Sequence, residues 1–253
     1  MAARLSLNSM DLEYTWFGEP AAHALVFLHE GLGSVSLWRD FPARVAAATG
    51  IPALVFSRVG YGGSSPVALP RPLDYLEREA RDVLPGVLDA LDIVSTILMG
   101  HSDGASIALV HAAQDHGRVK GVVAMAPHTF VEDMCVAAIA QVTAAFESGD
   151  LRARLQRHHG SNVDCAFWGW NRAWLDPAFK AMDLRPYLPR IQVPVLVIQG
   201  EDDEYATLAQ VDAVVDGVGG AVERLVLPQC GHFPHRDQAD AVVGAIGAFV
   251  ARL

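Results

Sequence analysis

The chain has 253 residues, 51% of them hydrophobic, and a formal net charge of −10 at pH 7. That apolar content is ample for a large core, and single α/β domains of this length are ordinary. The acidic balance, with no lysine and arginine cluster, argues against nucleic acid or an anionic membrane as partner.

No window approaches the ~20 uninterrupted apolar residues of a membrane span. Met1 to Ser6 lacks the apolar core of a signal peptide. The three cysteines, Cys135, Cys165 and Cys230, are odd in number and unpatterned, which favours free thiols in a reducing compartment. A cytoplasmic protein, monomer or homodimer, is the expectation.

Strand and helix signals alternate along the chain. Met10 to Phe17 reads as an early strand closed by Gly18-Glu19-Pro20, and Ala24 to Leu28 as a short buried strand running into His29-Glu30-Gly31-Leu32-Gly33-Ser34. A helix is expected to start near Leu37-Trp38. Ala53 to Phe56 is a further buried strand, followed by the glycine-rich loop Arg58 to Pro66. Ala80, Val83, Leu84, Val87, Leu88 and Leu91 follow helical spacing, with Pro85-Gly86 predicting a kink or break inside it. Ile93 to Leu98 reads as a buried strand and Ser106 to Ala113 as a buried helix. Beyond them come strands over Val119–Ala126, Val193–Gln199 and Val222–Leu227, and helices over Leu208–Asp216 and Ala239–Leu253. Buried strands alternating with helices predict an α/β fold, a mainly parallel, doubly wound sheet covered on both faces.

Residues 128–185 break this rhythm. They carry helical patches, Cys135 to Glu147 and Leu151 to Arg157, and then Phe167 to Trp174, which holds three of the five tryptophans. This stretch reads as a helical insertion over the strand ends, with core segments 1–127 and 186–253 on either side. Its aromatic residues, Trp168 and Trp170 among them, either face a pocket or glue the insertion to the sheet.

The densest chemical signal is Gly100-His101-Ser102-Asp103-Gly104, lying between a predicted strand and a predicted helix. A serine at such a turn is forced into a strained backbone conformation, and the flanking glycines let neighbouring elements approach closely. Its oxygen is thereby lifted above the sheet beside a helix N-terminus, whose N–H groups hold developing negative charge. An activated serine needs a base, and the base an orienting carboxylate. Both should lie downstream, on loops at strand C-terminal ends. Glu201-Asp202-Asp203-Glu204 and Gly231-His232-Phe233-Pro234-His235 occupy such positions.

Gly100-His101-Ser102-Asp103-Gly104, the His29 loop, Gly200-x-x-Asp203 and Gly231-His232-x-Pro234 together resemble the α/β-hydrolase superfamily, over nearly the whole chain. The resemblance implies a cap inserted after the sixth strand, Ser102 as nucleophile, His232 as general base and acid, and Asp203 as orienting acid, with Asp202 next. His235 is then a residue behind the site or at the surface, and the other acids are solvated loop charges. It further implies an oxyanion hole built from the N–H groups of Asp103 and Gly31, with Leu32 second. Glu30 and Asp103 depart from the family pattern; two carboxylates there are adverse unless they point away or are paired, and Arg58 is a candidate partner. Glu30, Leu32, His128, Trp168 and Trp170 are the expected pocket residues.

The implied activity is hydrolysis of a small carboxylic ester or thioester through an acyl-enzyme, on a small-molecule acyl substrate. The alternatives are carbon–carbon bond hydrolysis of the ring-cleavage-product type and a non-catalytic ligand-binding protein on the same scaffold. Gly60-x-Gly62 lacks the third glycine and the acid of a dinucleotide site, and His158-His159 lacks metal-ligand spacing, so no cofactor or metal is expected.

Overall fold

A computed structural model describes residues 3–7, 9–114 and 117–253. Its single sheet has eight strands: β1 (Ala3–Leu7), β2 (Met10–Phe17), β3 (His23–Leu28), β4 (Ala53–Phe56), β5 (Ser95–His101), β6 (Val119–Met125), β7 (Val195–Gly200) and β8 (Val222–Leu227). They lie in the order β1-β2-β4-β3-β5-β6-β7-β8. The β1–β2 and β2–β4 pairs are antiparallel and every other pair is parallel. The sequence predicts β2 but not β1, whose residues are largely exposed on the sheet edge and carry little hydrophobic signal.

The central strands are buried on both sides, and their alternate residues divide between two cores. Leu25, Phe27, Val55, Met99, Val123 and Ile198 meet α1 (Phe41–Thr49) on one face, together with the C-terminal helix over Ala239–Val250. Val26, Leu28, Leu54, Leu98, Val122 and Val197 meet the remaining helices on the other. On that second side the helix expected around Pro85 is continuous but not uniform. It runs as α2 (Tyr75–Arg78), a wider π-helical turn over Glu79–Val83, and α3 (Leu84–Ala90). Pro85 offers no N–H to the carbonyl four residues back and its ring would clash there, so the wider turn sits where a break is predicted.

After β5 comes α4 (Asp103–Ala112). Between β6 and β7 the chain is helical, with α5 (Asp133–Ser148), α6 (Leu151–His159) and α7 (Val163–Leu175) followed by two 3₁₀ segments. Past β7 lie α8 (Ala209–Gly217), α9 (Pro234–Asp237) and α10 (Ala239–Val250). No helix among the described residues is long and apolar enough to cross a membrane.

Two glycines decide how closely α4 approaches the sheet. A Cβ on Gly100 would collide with the backbone of Gly104 and Ala105, and one on Gly104 with the carbonyl of Leu28. Gly244, on the exposed side of α10, has nothing within 4 Å of its would-be Cβ. Gly104→Ala is therefore expected to cost about 3 kcal/mol or more through overpacking against backbone, while Gly244→Ala should add about 0.5–1 kcal/mol through helix propensity. Urea unfolding of the two variants beside the wild type reads both signs.

Candidate active site

Ser102 occupies the junction of β5 and α4 with φ 52° and ψ −120°, a left-handed conformation that a non-glycine residue holds only when its surroundings impose it. Its N–H donates to the Met125 carbonyl at 2.9 Å, tying the turn to β6. The side chain is thereby raised over the C-terminal edge of the parallel strands, where the loops after β7 and β8 also end.

Those loops carry Asp203 and His232. The Ser102 Oγ lies 3.0 Å from His232 Nε2, and both Asp203 carboxylate oxygens lie 2.9 Å from His232 Nδ1. The ionised carboxylate only accepts, so Nδ1 carries the proton and Nε2 is left to accept from the serine hydroxyl. Burial alone would raise the Asp203 pKa, but the imidazole and the Tyr205 N–H, 2.8 Å from Oδ1, outweigh it and hold the carboxyl below its ordinary range. Asp202 is exposed, its N–H bonded to the Cys230 carbonyl, and it makes no part of this chain of contacts. Glu204 is not simply a solvated loop charge, because its Oε2 accepts the His232 N–H at 3.1 Å and fixes that backbone. Such a chain moves a proton from a serine to an imidazole and back.

His235 is not at the surface: it is buried against Trp38, Phe41 and His101, with ring centroids 4.9, 5.3 and 4.7 Å away. The short helix α9 turns it inward, beneath His232. His101 Nε2 donates to the His232 carbonyl at 2.7 Å, a second brace on the loop carrying that imidazole.

Gly31 and Leu32 form a tight turn after β3, and both line the cavity in front of Ser102. The Gly31 N–H has no acceptor among the described residues. The Asp103 N–H is the first of α4 and has no partner within the helix. The two unusual carboxylates are both engaged. Asp103 is fully buried, accepting from Tyr75 Oη (2.6 Å) and Trp174 Nε1 (3.2 Å) with Arg58 Nη2 at 3.6 Å. Glu30 folds back over Gly33 toward His101 Nδ1 and Arg236 Nη2, each 3.6 Å away. The Arg236 cation favours its ionised form and holds the carboxyl well below the usual carboxylate range against its burial.

The cavity has a volume of about 60 Å³ and is walled by Leu32, His128, Cys135, Ile139, Trp170, Trp174, Tyr205 and Phe233 around Ser102 and His232. Glu30, Gly31, Leu32, His128 and Trp170 all line it, but Trp168 does not. Trp168 packs on Phe146 and Phe167 with the Arg172 guanidinium 4.8 Å over its ring. The reason is helical period: Trp170 and Trp174, four apart on α7, share the face turned to the site, and Trp168 falls on another. Gly31 lies so close to Trp170 that a Cβ would collide with the indole. Sequence reading passes over Trp174, Cys135, Ile139, Tyr205 and Phe233. The i, i+4 pairing of the tryptophans was the available signal for the first. No group of three or more His, Cys, Asp or Glu side chains among the described residues is arranged to hold a metal.

A family model described as the alpha/beta hydrolase family matches residues 25–245. The chain belongs to the alpha/beta hydrolase family. It is similar to serine hydrolase BPHL of Homo sapiens, 28% identical over 250 residues that cover 94% of this chain and 82% of that protein. Among solved structures it resembles the enol-lactonase from Burkholderia xenovorans LB400, with a TM-score of 0.73, 23% identity and coverage of 98% of this chain and 100% of the other. It also resembles a meta-cleavage product hydrolase from Pseudomonas fluorescens IP01, with a TM-score of 0.72, 16% identity and coverage of 99% and 97%. At these identities the two structures share its fold. As a member of the alpha/beta hydrolase family with serine hydrolase relatives, the protein is a hydrolase.

The site and its surroundings are rich in buried imidazoles. Desolvation keeps His29, His101 and His235 below the ordinary histidine pKa and pushes His128 down to about 3. Below about pH 6.5 the unfolded chain binds protons at these positions that the folded chain refuses, so stability falls as pH falls. Each such histidine contributes about 1.4 kcal/mol per pH unit once its unfolded form is protonated. Asp203 acts in the same direction at lower pH, its contribution being lost as pH drops through its native pKa. The free energy of unfolding in urea is expected to decline by several kcal/mol between pH 7 and pH 5; a flat profile would contradict neutral buried imidazoles.

Proposed function

We propose that the protein is a serine hydrolase that cleaves a small, uncharged carboxylic ester or thioester through an acyl-enzyme on Ser102. The observation that carries this reading is the unbroken contact chain Asp203–His232–Ser102, at 2.9 and 3.0 Å, opening on an aromatic cavity. In this mechanism His232 removes the Ser102 proton as Oγ attacks the acyl carbon. The Gly31 and Asp103 N–H groups receive the negative charge on the carbonyl oxygen. His232 then protonates the leaving group, activates water for the second attack, and returns the proton to Ser102. Asp203 keeps the imidazole in the tautomer that accepts from serine and stabilises the imidazolium.

The cavity supports a compact and partly apolar acyl group. Its lining is mainly aromatic and aliphatic, and no lysine or arginine stands in it to neutralise an anionic substrate. His128, held neutral, supplies a hydrogen-bonding group without a charge.

A fluorophosphonate probe is expected to label wild-type protein at Ser102 and to leave Ser102→Ala unlabelled. On p-nitrophenyl acetate, Ser102→Ala should lose essentially all turnover and Asp203→Asn about 10⁴-fold in kcat, the loss that follows when the imidazole adopts the wrong tautomer. Wild-type rates in Ser102→Ala on aryl esters, acyl thioesters and vinylogous diketones alike would sink the mechanism. Turnover of the diketones with none of the esters would transfer it to carbon–carbon bond cleavage.

Replacing Trp170 by alanine enlarges the cavity and removes its contact with Gly31. The expected result is a shift of preference toward longer acyl chains, read as kcat/KM for p-nitrophenyl octanoate relative to acetate rising by about tenfold, within the 10–200-fold range that one hydrophobic pocket contact commands.

A further inference from the structure

The serine hydrolase reading requires two N–H groups to point at one spot, yet the turn that holds Gly31 has no regular secondary structure to aim it. What aims it is visible one atom away. The Glu30 carbonyl, in the same peptide unit as the Gly31 N–H, accepts three hydrogen bonds: from Gly33 N at 3.0 Å, His29 Nδ1 at 2.7 Å and Arg58 Nη2 at 3.0 Å. In a trans peptide the C=O and N–H point in opposite directions. Holding the oxygen on the protein side therefore turns the Gly31 N–H the other way, and Gly31 lines the cavity.

The donor roles are internally consistent. The Arg58 main-chain N–H lies 3.0 Å from His29 Nε2, and an amide N–H only donates, so Nε2 accepts and the His29 proton resides on Nδ1. Burial and the neighbouring Arg58 charge keep this histidine neutral.

Arg58 also touches the other half of the hole. The same Nη2 is 3.3 Å from the His29 carbonyl and 3.6 Å from Asp103 Oδ2, and Asp103 supplies the second N–H. The guanidinium is fully buried, 4.8 Å from the Tyr61 ring, and Tyr61, Asp103 and Glu79 keep it charged against its desolvation. It is not among the residues that line the cavity.

We propose that Arg58 is a positioning residue that presets the oxyanion hole, by fixing the Glu30–Gly31 peptide and pairing with Asp103. A cation on the carbonyl side of that peptide polarises its N–H and, in a water-excluded site, favours an anion on the far side. The contacts to the His29 and Glu30 carbonyls and to Asp103 all come from one nitrogen, Nη2, and lysine lacks the planar guanidinium held against the Tyr61 ring that aims it.

The inference rests on the serine hydrolase reading, and the test separates the two. Arg58→Lys and Arg58→Gln, the first keeping the charge and the second an N–H donor, are compared with wild type after counting competent sites by fluorophosphonate labelling. The measurements are kcat and KM on p-nitrophenyl acetate per labelled site. Alongside them stands inhibition by phenyl trifluoromethyl ketone, which binds as an oxyanion on the serine, and by acetophenone, which does not. In whichever variant folds, kcat should fall about 10- to 100-fold with KM within twofold, somewhat less than the 10²–10³ of deleting an oxyanion donor outright. Trifluoromethyl ketone affinity should fall by a similar factor while acetophenone affinity holds.

Unchanged kcat per labelled site overturns the proposal. So does a parallel loss of both ketones, which marks general disruption of the pocket. Failure of both variants to yield any labelled site does the same, because it assigns Arg58 to folding. Wild-type protein that is never labelled at Ser102 overturns the hydrolase reading itself, and this inference with it.

Discussion

The close packing of α4 on β3 and β5 governs the rest of the site. Gly100 and Gly104 permit that contact because any side chain there would meet backbone. The helix in turn commits Ser102 to φ 52° at its N-terminus. Such a conformation costs on the order of 1–3 kcal/mol, and it persists because α4 is buried along its whole length, from Asp103 to Ala112. The strain is thus offset by burial elsewhere, and its result is a serine hydroxyl standing clear of its own backbone with a helix N-terminus beside it.

Around that turn the protein buries charge that an acidic chain would be expected to keep in water. Asp103 is fully enclosed yet has Tyr75, Trp174 and Arg58 as partners, and Glu30 has Arg236. Buried ions of this kind are tolerated only when paired, and breaking one pair leaves the other charge exposed to a low dielectric. These partners come from distant parts of the chain. Trp174 belongs to α7, Tyr75 to α2 and Arg58 to the loop after β4, so Asp103 links three segments. The indole of Trp170 against Gly31 adds a contact between α7 and the loop after β3.

The parts of this arrangement that sequence reading reaches are those with local causes. Alternating buried strands and helices give the α/β class, because periodicity is a property of each segment alone. Glycine spacing around Ser102, and loops at the ends of two later strands, single out His232 and the acids near Asp203. Reading fails where the cause lies elsewhere in the chain. Trp168 and Trp170 look equivalent as letters, and only the register of α7 turns one toward the cavity and the other onto Phe146. His235 reads equally as a residue behind the site or at the surface, and only the fold of α9 against Trp38 and Phe41 buries it. Pro85 announces a disturbance, but whether a helix breaks or widens depends on the packing that holds both ends.

By itself, then, the sequence determines the layered α/β architecture and the strained serine turn, since both follow from short-range sterics and hydrophobic period. The tertiary structure alone decides which tryptophans wall the cavity and which partners the two buried carboxylates find. Each of these depends on distances between residues tens to more than a hundred positions apart. Those distances are set by the packing of the whole core, not by any stretch of chain read in isolation.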